Sequence, residues 1–238
     1  MDGAKTIRDI ANEEPRALLA FQRLGIDYCC GAGRTLADAC DRAGVSLEEL
    51  ERSLEDVRAR GEKGPAPPPA RAGELIALLE ATHHVYTREA LATLVPLAQK
   101  VARVHGERLG FLGEVRALVE ALRDDLIPHL EKEERVLFPY VRALDVDGAK
   151  GAPPFGTVQN PIRMMHFEHD RVGELLRALR ASTSGFTLPS DACGSFRALY
   201  QGLEEFEADL HRHIYLENEH LFPEAVRLEG GAPGSRMS

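Results

Sequence analysis

The chain has 238 residues, a formal charge of −9 and a hydrophobic fraction of 44%, enough apolar material for the core of a globular protein. The acidic balance and the lack of any Lys/Arg cluster exclude a phosphate-binding surface, so nucleic acid is not an expected partner. No apolar run approaches the ~18 residues of a membrane span, and acids in MDGAKTIRDIANEEPR stand where a signal peptide needs an apolar run, so no membrane is expected and the expected compartment is the cytoplasm.

In chain order, Thr6-Ile-Arg-Asp9 reads as a helix N-cap with an acid at the third helical position. Leu18, Leu19, Phe21 and Leu24 give that helix its apolar face, and Gly25 stops it. The glycine-bearing loop Asp27-Tyr28-Cys29-Cys30-Gly31-Ala32-Gly33 follows. Thr35 caps a short helix carrying Cys40, and Ser46-Leu-Glu-Glu49 is a capping box for a helix running to about Arg60. These pieces form a small helical domain, 1–60, close to the lower size limit for independent stability. The Pro-rich stretch within 61–72 is an extended linker.

Beyond it the pattern is long and helical, over 73–106, 111–145, 160–182 and 190–228, with a Gly/Pro-rich loop at 145–159. Asn160-Pro161 restarts the third helix, while Pro96, Pro128, Pro139 and Pro223 are expected to kink or end theirs. Four long helices with no strand signal predict an all-α chain: a four-helix bundle over 73–228, then a disordered tail at 229–238.

The cysteines lie at 29, 30, 40 and 193. Two are adjacent and can join only in a strained ring, so the four read as reduced thiols rather than a disulfide framework. Cys40, on a helix, reads as core. For Cys29 and Cys30 a buried turn competes with an accessible thiol pair, and Asp27 opposes thiolate formation there.

The strongest motif occurs twice. His129-Leu-Glu-Lys-Glu133 precedes Leu137-Phe-Pro139, and His213-Ile-Tyr-Leu-Glu217 precedes Leu221-Phe-Pro223. Residues at i and i+4 share a helix face, so each copy sets an imidazole beside a carboxylate. His84 lies 45 residues before His129, and His169 lies 44 before His213. Two helical hairpins related by an approximate twofold could therefore bring together His84, His129, Glu133, His169, His213 and Glu217. Imidazole suits iron, zinc or copper, and carboxylate can bridge two metals. Six such groups without cysteine are too many for one tetrahedral zinc. Two irons, with Glu133 and Glu217 bridging and two His each, keep positions open for small ligands such as oxygen, nitric oxide or peroxide.

Around this set, His166 is a possible extra ligand or proton donor three residues before His169. His83, His211 and His220 read as solvent-facing or supporting, His105 as a helix-closing residue, and Glu134 and Glu219 as solvated charges. Glu80, Asp125 and Asp209 each stand four before a proposed ligand His and could orient its ring or help line a metal path, with exposed helix acids as the alternative.

Together, Asp27-Tyr-Cys-Cys-Gly31, Thr35-Leu-Ala-Asp-Ala-Cys40, His84, His105-Gly106, His129-x3-Glu133-Glu134 with Leu-Phe-Pro, Glu168-His169-Asp170 and His213-x3-Glu217-Asn218 resemble the iron–sulfur cluster repair proteins, also called repair of iron centres proteins. The resemblance covers nearly the whole chain except linker and tail. It implies a cysteine-bearing N-terminal domain joined to a hemerythrin-like bundle. It further implies a non-haem di-iron centre, carboxylate-bridged by Glu133 and Glu217 with an oxo or hydroxo bridge and held by His84, His129, His169 and His213. The vicinal Cys29 and Cys30 match the family's hallmark thiols, and the role of Cys193 is left open.

Three functions stay in play. The first is repair of clusters damaged by nitrosative or oxidative stress through iron supply, with damaged iron–sulfur proteins as partners. The second is reduction of nitric oxide or peroxide at the di-iron site, for which no flavin or nicotinamide fingerprint is visible. The third is reversible oxygen binding or sensing, which gives the cysteine domain no task.

Overall fold

The computed structural model describes residues 1–147 and 153–231. Part of the expected 145–159 loop and the tail from residue 232 onward lie outside the described residues. Among the described residues the fold is helical throughout, the one β feature being an isolated bridge between Thr6 and Thr35.

Four short helices open the chain: α1 (Ile7–Glu13), α2 (Ala17–Leu24), α3 (Leu36–Ala43) and α4 (Leu47–Ala59). Thr6 with Asp9 and Ser46 with Glu49 form reciprocal capping boxes, and Thr35 caps α3, so each start satisfies backbone N–H groups that would otherwise lack partners. Gly25 and Gly44 end α2 and α3 in the left-handed conformation, both at φ 67°. The helix expected to run unbroken from Thr6 to Gly25 is in fact two. Pro15 cannot donate to the helix, and it drives Glu14 to an extended φ/ψ of −140°/89°.

Four long rods then form the bundle. The first is α5 (Ala72–Leu79), a π-helical turn Glu80–His84, and α6 (Val85–His105). The second is α7 (Leu112–Lys132), a π turn Glu133–Leu137, and α8 (Phe138–Asp147). The third, α9 (Gln159–Ser182), is uninterrupted and starts just before the predicted Asn160 cap. The fourth is α10 (Gly194–Leu216), a π turn Glu217–Leu221, and α11 (Phe222–Glu229). Helix α6 packs on α7 and α10, and α7 packs on α9.

The prolines do not end their helices. Pro96 and Pro128 lie inside α6 and α7, which run on through them. Burial of Val95, Ala98, Leu126 and Leu130 around them offsets a local cost of about 3 kcal/mol each. Pro139 and Pro223 fall in the first turns of α8 and α11, directly after π turns, where a missing N–H costs least.

The rods bury two apolar layers. One takes in Leu91, Val101, Val119, Leu126, Leu176, Leu203 and Leu210 together with Ile7, Phe21, Ile26 and Leu36 from the N-terminal helices. The other holds Leu75, Leu79, Phe138, Val141, Ile162, Met165, Leu221 and Phe222. The N-terminal helices therefore share a core with the bundle. Polar contacts reinforce this: the Arg180 guanidinium donates to Glu207 Oε1 (3.0 Å) and Oε2 (3.1 Å), and Gln22 Nε2 donates to Glu207 Oε2 (3.2 Å). Arg180→Ala should strand the buried Glu207 carboxylate and destabilise the whole chain by about 3 kcal/mol, read from urea unfolding. A loss under about 0.5 kcal/mol would show that the pair does not hold α9 to α10.

Candidate metal centre

Between the two apolar layers lies a polar one. Each rod contributes at the point where its buried residues pass from one layer to the other: His84; His129 and Glu133; His169; His213 and Glu217. His84, Glu133, His213 and Glu217 are fully buried, and His129 and His169 are 2% exposed. Three of the rods carry a π turn here, each starting or ending on one of the six residues. A π turn adds a residue to the helical repeat and recurs at functional positions.

The six side chains converge. His84 Nε2 is 3.5 Å and His129 Nε2 is 3.4 Å from opposite oxygens of Glu133. His213 Nε2 is 2.9 Å and His169 Nε2 is 3.2 Å from opposite oxygens of Glu217. Two four-membered groups result: His84, His213, Glu133 and Glu217; and His129, His169, Glu133 and Glu217. Both carboxylates belong to both groups, so the arrangement offers two adjacent cation positions with a shared pair of carboxylates.

The electrostatics point the same way. Both Glu133 oxygens, Glu217 Oε2 and His84 Nε2 are buried without a hydrogen-bond partner. Among the described residues, the ionic contacts of the two carboxylates are with imidazoles alone. Burial, and then the charge of Glu217, push the Glu133 carboxyl well above its ordinary range. Against the same burial, His213 and His169 keep Glu217 ionised. Burial lowers His129 and takes His213 down to about 4, so these rings stay neutral and available as donors to a cation. Without a cation the pair must share a proton; a bound cation would satisfy the same atoms.

The outward ring nitrogens reveal what the sequence pattern missed. His84 Nδ1 donates to Glu134 Oε1 (2.8 Å), His129 Nδ1 to Glu168 Oε2 (2.9 Å) and His169 Nδ1 to Asn218 Oδ1 (2.9 Å). Such partners fix the tautomer and aim Nε2 inward. Glu134 is further held by Arg88 (2.9 Å to each oxygen). Against the cost of burial, His129 and Lys132 hold Glu168 down to about 2. Glu134 is thus not a merely solvated charge, and neither is Glu219, which pairs with Arg8 of α1.

The acids expected to orient the rings do something else. Glu80 pairs with Arg142 (2.6 Å), Asp125 with Arg171 (2.7 Å) and Asp209 with His83 (2.9 Å). A residue at i−4 sits one turn back on the same helix, whereas an inward-pointing ring turns Nδ1 toward the neighbouring helix. The signal was adjacency: Glu134 and Asn218 each directly follow a central Glu, and Glu168 directly precedes His169.

The remaining predicted residues fall outside the polar layer. His166 is exposed and packs edge-on against Phe222 at 5.4 Å, not among the six. His83 stacks on His213 (5.7 Å between centroids, 14° between planes). His211 is half-buried, with Nδ1 3.0 Å from Gln22 Oε1, and His220 lies against Tyr215. His105 ends α6 with Nε2 3.2 Å from the exposed Cys193 thiol. Cys40 is buried core.

The Cys29–Cys30 loop is not open to solvent, despite its glycines. Asp27 Oδ1 accepts from the N–H groups of Cys30 (2.9 Å) and Gly31 (3.2 Å), folding the loop so tightly that a Cβ on Gly31 would lie 2.7 Å from the Asp27 carbonyl. The loop docks on α9 and the last rod, burying Cys29 and half-burying Cys30. The contact with Cys30, burial and Asp27 raise the Cys29 thiol well above its ordinary value, so it is not an activated thiolate.

A pH dependence follows for the metal-free protein. Folded Glu133 keeps a proton that the unfolded chain releases above its ordinary 4.5, so the stability this proton contributes is lost as pH rises. The lowered His129 and His213 act in the opposite sense, but only below their ordinary 6.5. Between 6.5 and roughly 8.5, before thiols titrate, the urea midpoint of the metal-free protein should fall with rising pH. Ferrous iron in the site should abolish that slope. A metal-free midpoint that rises or stays level would contradict the shared proton.

Residues 75–225 match the Hemerythrin HHE cation binding domain, and residues 3–58 match a Domain of Unknown function (DUF542). Over almost its full length the chain is similar to bacterial proteins named iron-sulfur cluster repair protein YtfE. That of Musicola paradisiaca is 35% identical over 225 residues, covering 94% of this chain and 97% of the relative. Those of Dickeya chrysanthemi and Pectobacterium atrosepticum are each 34% identical, covering 94% of this chain and 98% of the relative. A helical bundle with a buried His/Glu layer, preceded by a small cysteine-bearing domain, is thus matched in both parts, and the chain belongs to the iron–sulfur cluster repair family of hemerythrin-like proteins.

Proposed function

We propose that this chain is a di-iron protein that restores iron–sulfur clusters damaged by nitrosative or oxidative stress, by supplying iron to them. One observation carries the reading: two fully buried carboxylates, Glu133 and Glu217, are shared between two His pairs and keep oxygens that no donor among the described residues satisfies. His84 with His213 would hold one iron and His129 with His169 the other, with the carboxylates bridging. The cation-binding family match supports a metal, and an all-imidazole and carboxylate donor set without thiolate suits iron.

Iron here is both the resident ion and the cargo. Two imidazoles and two shared carboxylates would hold each ion, a donor set that would leave room for exchange. The relatives' printed names support repair of iron–sulfur clusters as the task. On this reading the partners are damaged iron–sulfur proteins. Four unpaired cysteines support a reducing cytoplasm as the setting, and among the described residues no helix is long and apolar enough to cross a membrane.

The test is anaerobic purification, an iron count and reactivation of an iron–sulfur enzyme inactivated by nitric oxide. The wild type should hold two irons per chain and restore activity. Glu133→Ala should retain less than one iron and lose reactivation by at least ~10-fold, while Cys29→Ala/Cys30→Ala separates the task of the loop from that of the centre. Two irons without reactivation, together with nitrous oxide formation, would shift the assignment to a reductase. Fewer than two metals in fully loaded wild type would sink the di-iron site.

A further inference from the structure

The loop carrying Cys29 and Cys30 meets the polar layer at His169, through the Cys30 thiol on its carbonyl and through the side chain of Asn218. Asn218 Nδ2 donates to the Cys29 carbonyl (2.9 Å), and its Oδ1 lies 2.9 Å from His169 Nδ1. We propose that Asn218 is an interdomain positioning residue, through which docking of the cysteine loop and retention of a metal at His129 and His169 reinforce each other. The inference rests on the metal reading above and adds a coupling to it.

The logic is one of donors and acceptors. A backbone carbonyl can only accept, so the Cys29 oxygen forces the amide nitrogen of Asn218 toward itself. The amide oxygen must then face His169, and it can only accept. His169 Nδ1 therefore carries the hydrogen, and the Nε2 lone pair points at Glu217 and the cation position. A carbonyl of the N-terminal domain thus selects the tautomer of a bundle histidine.

Among the described residues, none of the other three histidines of the polar layer takes its Nδ1 partner from that domain. His84 and His129 are set by Glu134 and Glu168, both within the bundle, while His213 Nδ1 has no partner. The repeat makes the point sharper. Glu134 follows Glu133 and serves His84 as Asn218 follows Glu217 and serves His169. The first copy carries a carboxylate and the second an amide. A carboxylate at 218 would orient His169 equally well but would face the Cys29 carbonyl with a second acceptor; the amide alone serves both.

The loop seats closely around this contact. The Cys30 thiol donates to the His169 carbonyl (3.5 Å), and a Cβ on Gly173 would lie 3.6 Å from that sulfur. Because coupling between sites is reciprocal, a docked loop that favours the metal-binding ring requires that the bound metal favour the docked loop.

The test compares wild type, Asn218→Ala and Asn218→Asp, all in a Cys193→Ser background because Cys193 is exposed. Circular dichroism verifies the helical fold of each. Three quantities are read: iron per chain, the rate of ferrous iron loss to a colorimetric chelator, and the rate of Cys30 labelling by a maleimide with and without iron. Wild type should label about 5- to 150-fold more slowly when loaded, the span of a typical coupling. Asn218→Ala should lose one of its two irons about 10- to 100-fold faster and label alike in both states. Asn218→Asp should keep slow iron loss, since its carboxylate still orients His169, yet label alike in both states.

Unchanged iron loss in Asn218→Ala, or labelling of loaded wild type as fast as metal-free, overturns the coupling. Loading-dependent labelling that survives in Asn218→Asp overturns the role of the amide. Failure of wild type to retain two irons is read from the count alone and overturns the metal centre itself.

Discussion

The structure depends on the burial of two carboxylates side by side. Removing a charged carboxylate from water costs several kcal/mol even after relaxation, and Glu133 and Glu217 are 0% exposed, with ionic contacts, among the described residues, to imidazoles alone. An apolar layer on each side keeps water out, and the carboxylates of Glu134 and Glu168 hold two of the rings with Nε2 facing inward. The buried His/Glu layer is thus costly by itself, and a bound cation would offset that cost. The two apolar layers, the shells of ring partners and the π turns at the crossing point all serve that layer.

The repeat makes the centre nearly symmetric, and its departures from symmetry are informative. Where the second half has Glu168 before His169, the first has His83 before His84; His83 stacks on His213 and leaves its Nδ1 without a partner. Where the first half has Glu134, the second has Asn218, which reaches out of the bundle. The two His/Glu groups are therefore chemically distinct although their side-chain types match.

The N-terminal helices are part of the same body. They contribute to the larger apolar layer, they anchor through Gln22 to the Arg180–Glu207 pair and through Arg8 to Glu219, and they bring the cysteine loop to α9. This placement explains why 60 residues of marginal size suffice. It also explains why vicinal thiols on a glycine-bearing loop are shielded. Their chemistry is set by what the loop rests on, not by the loop alone.

The helices, the capped starts at Thr6, Thr35 and Ser46, and the six His and Glu positions were legible in the sequence. All are local: a cap lies three residues from its partner, and a His/Glu pair four apart shares a helix face whatever surrounds it. The likeness of two distant segments then made their convergence readable. Tertiary structure alone decided the rest. Glu80, Asp125 and Asp209 look like ring-orienting acids from spacing, but an inward imidazole presents its outer nitrogen to the next helix, so Glu134, Glu168 and Asn218 take that role. Pro96 and Pro128 look like breaks, but packing on both sides carries the helices through. Which ring of the polar layer meets the N-terminal helices is a matter of one amide between two chain segments 189 residues apart, a distance over which no local pattern carries information.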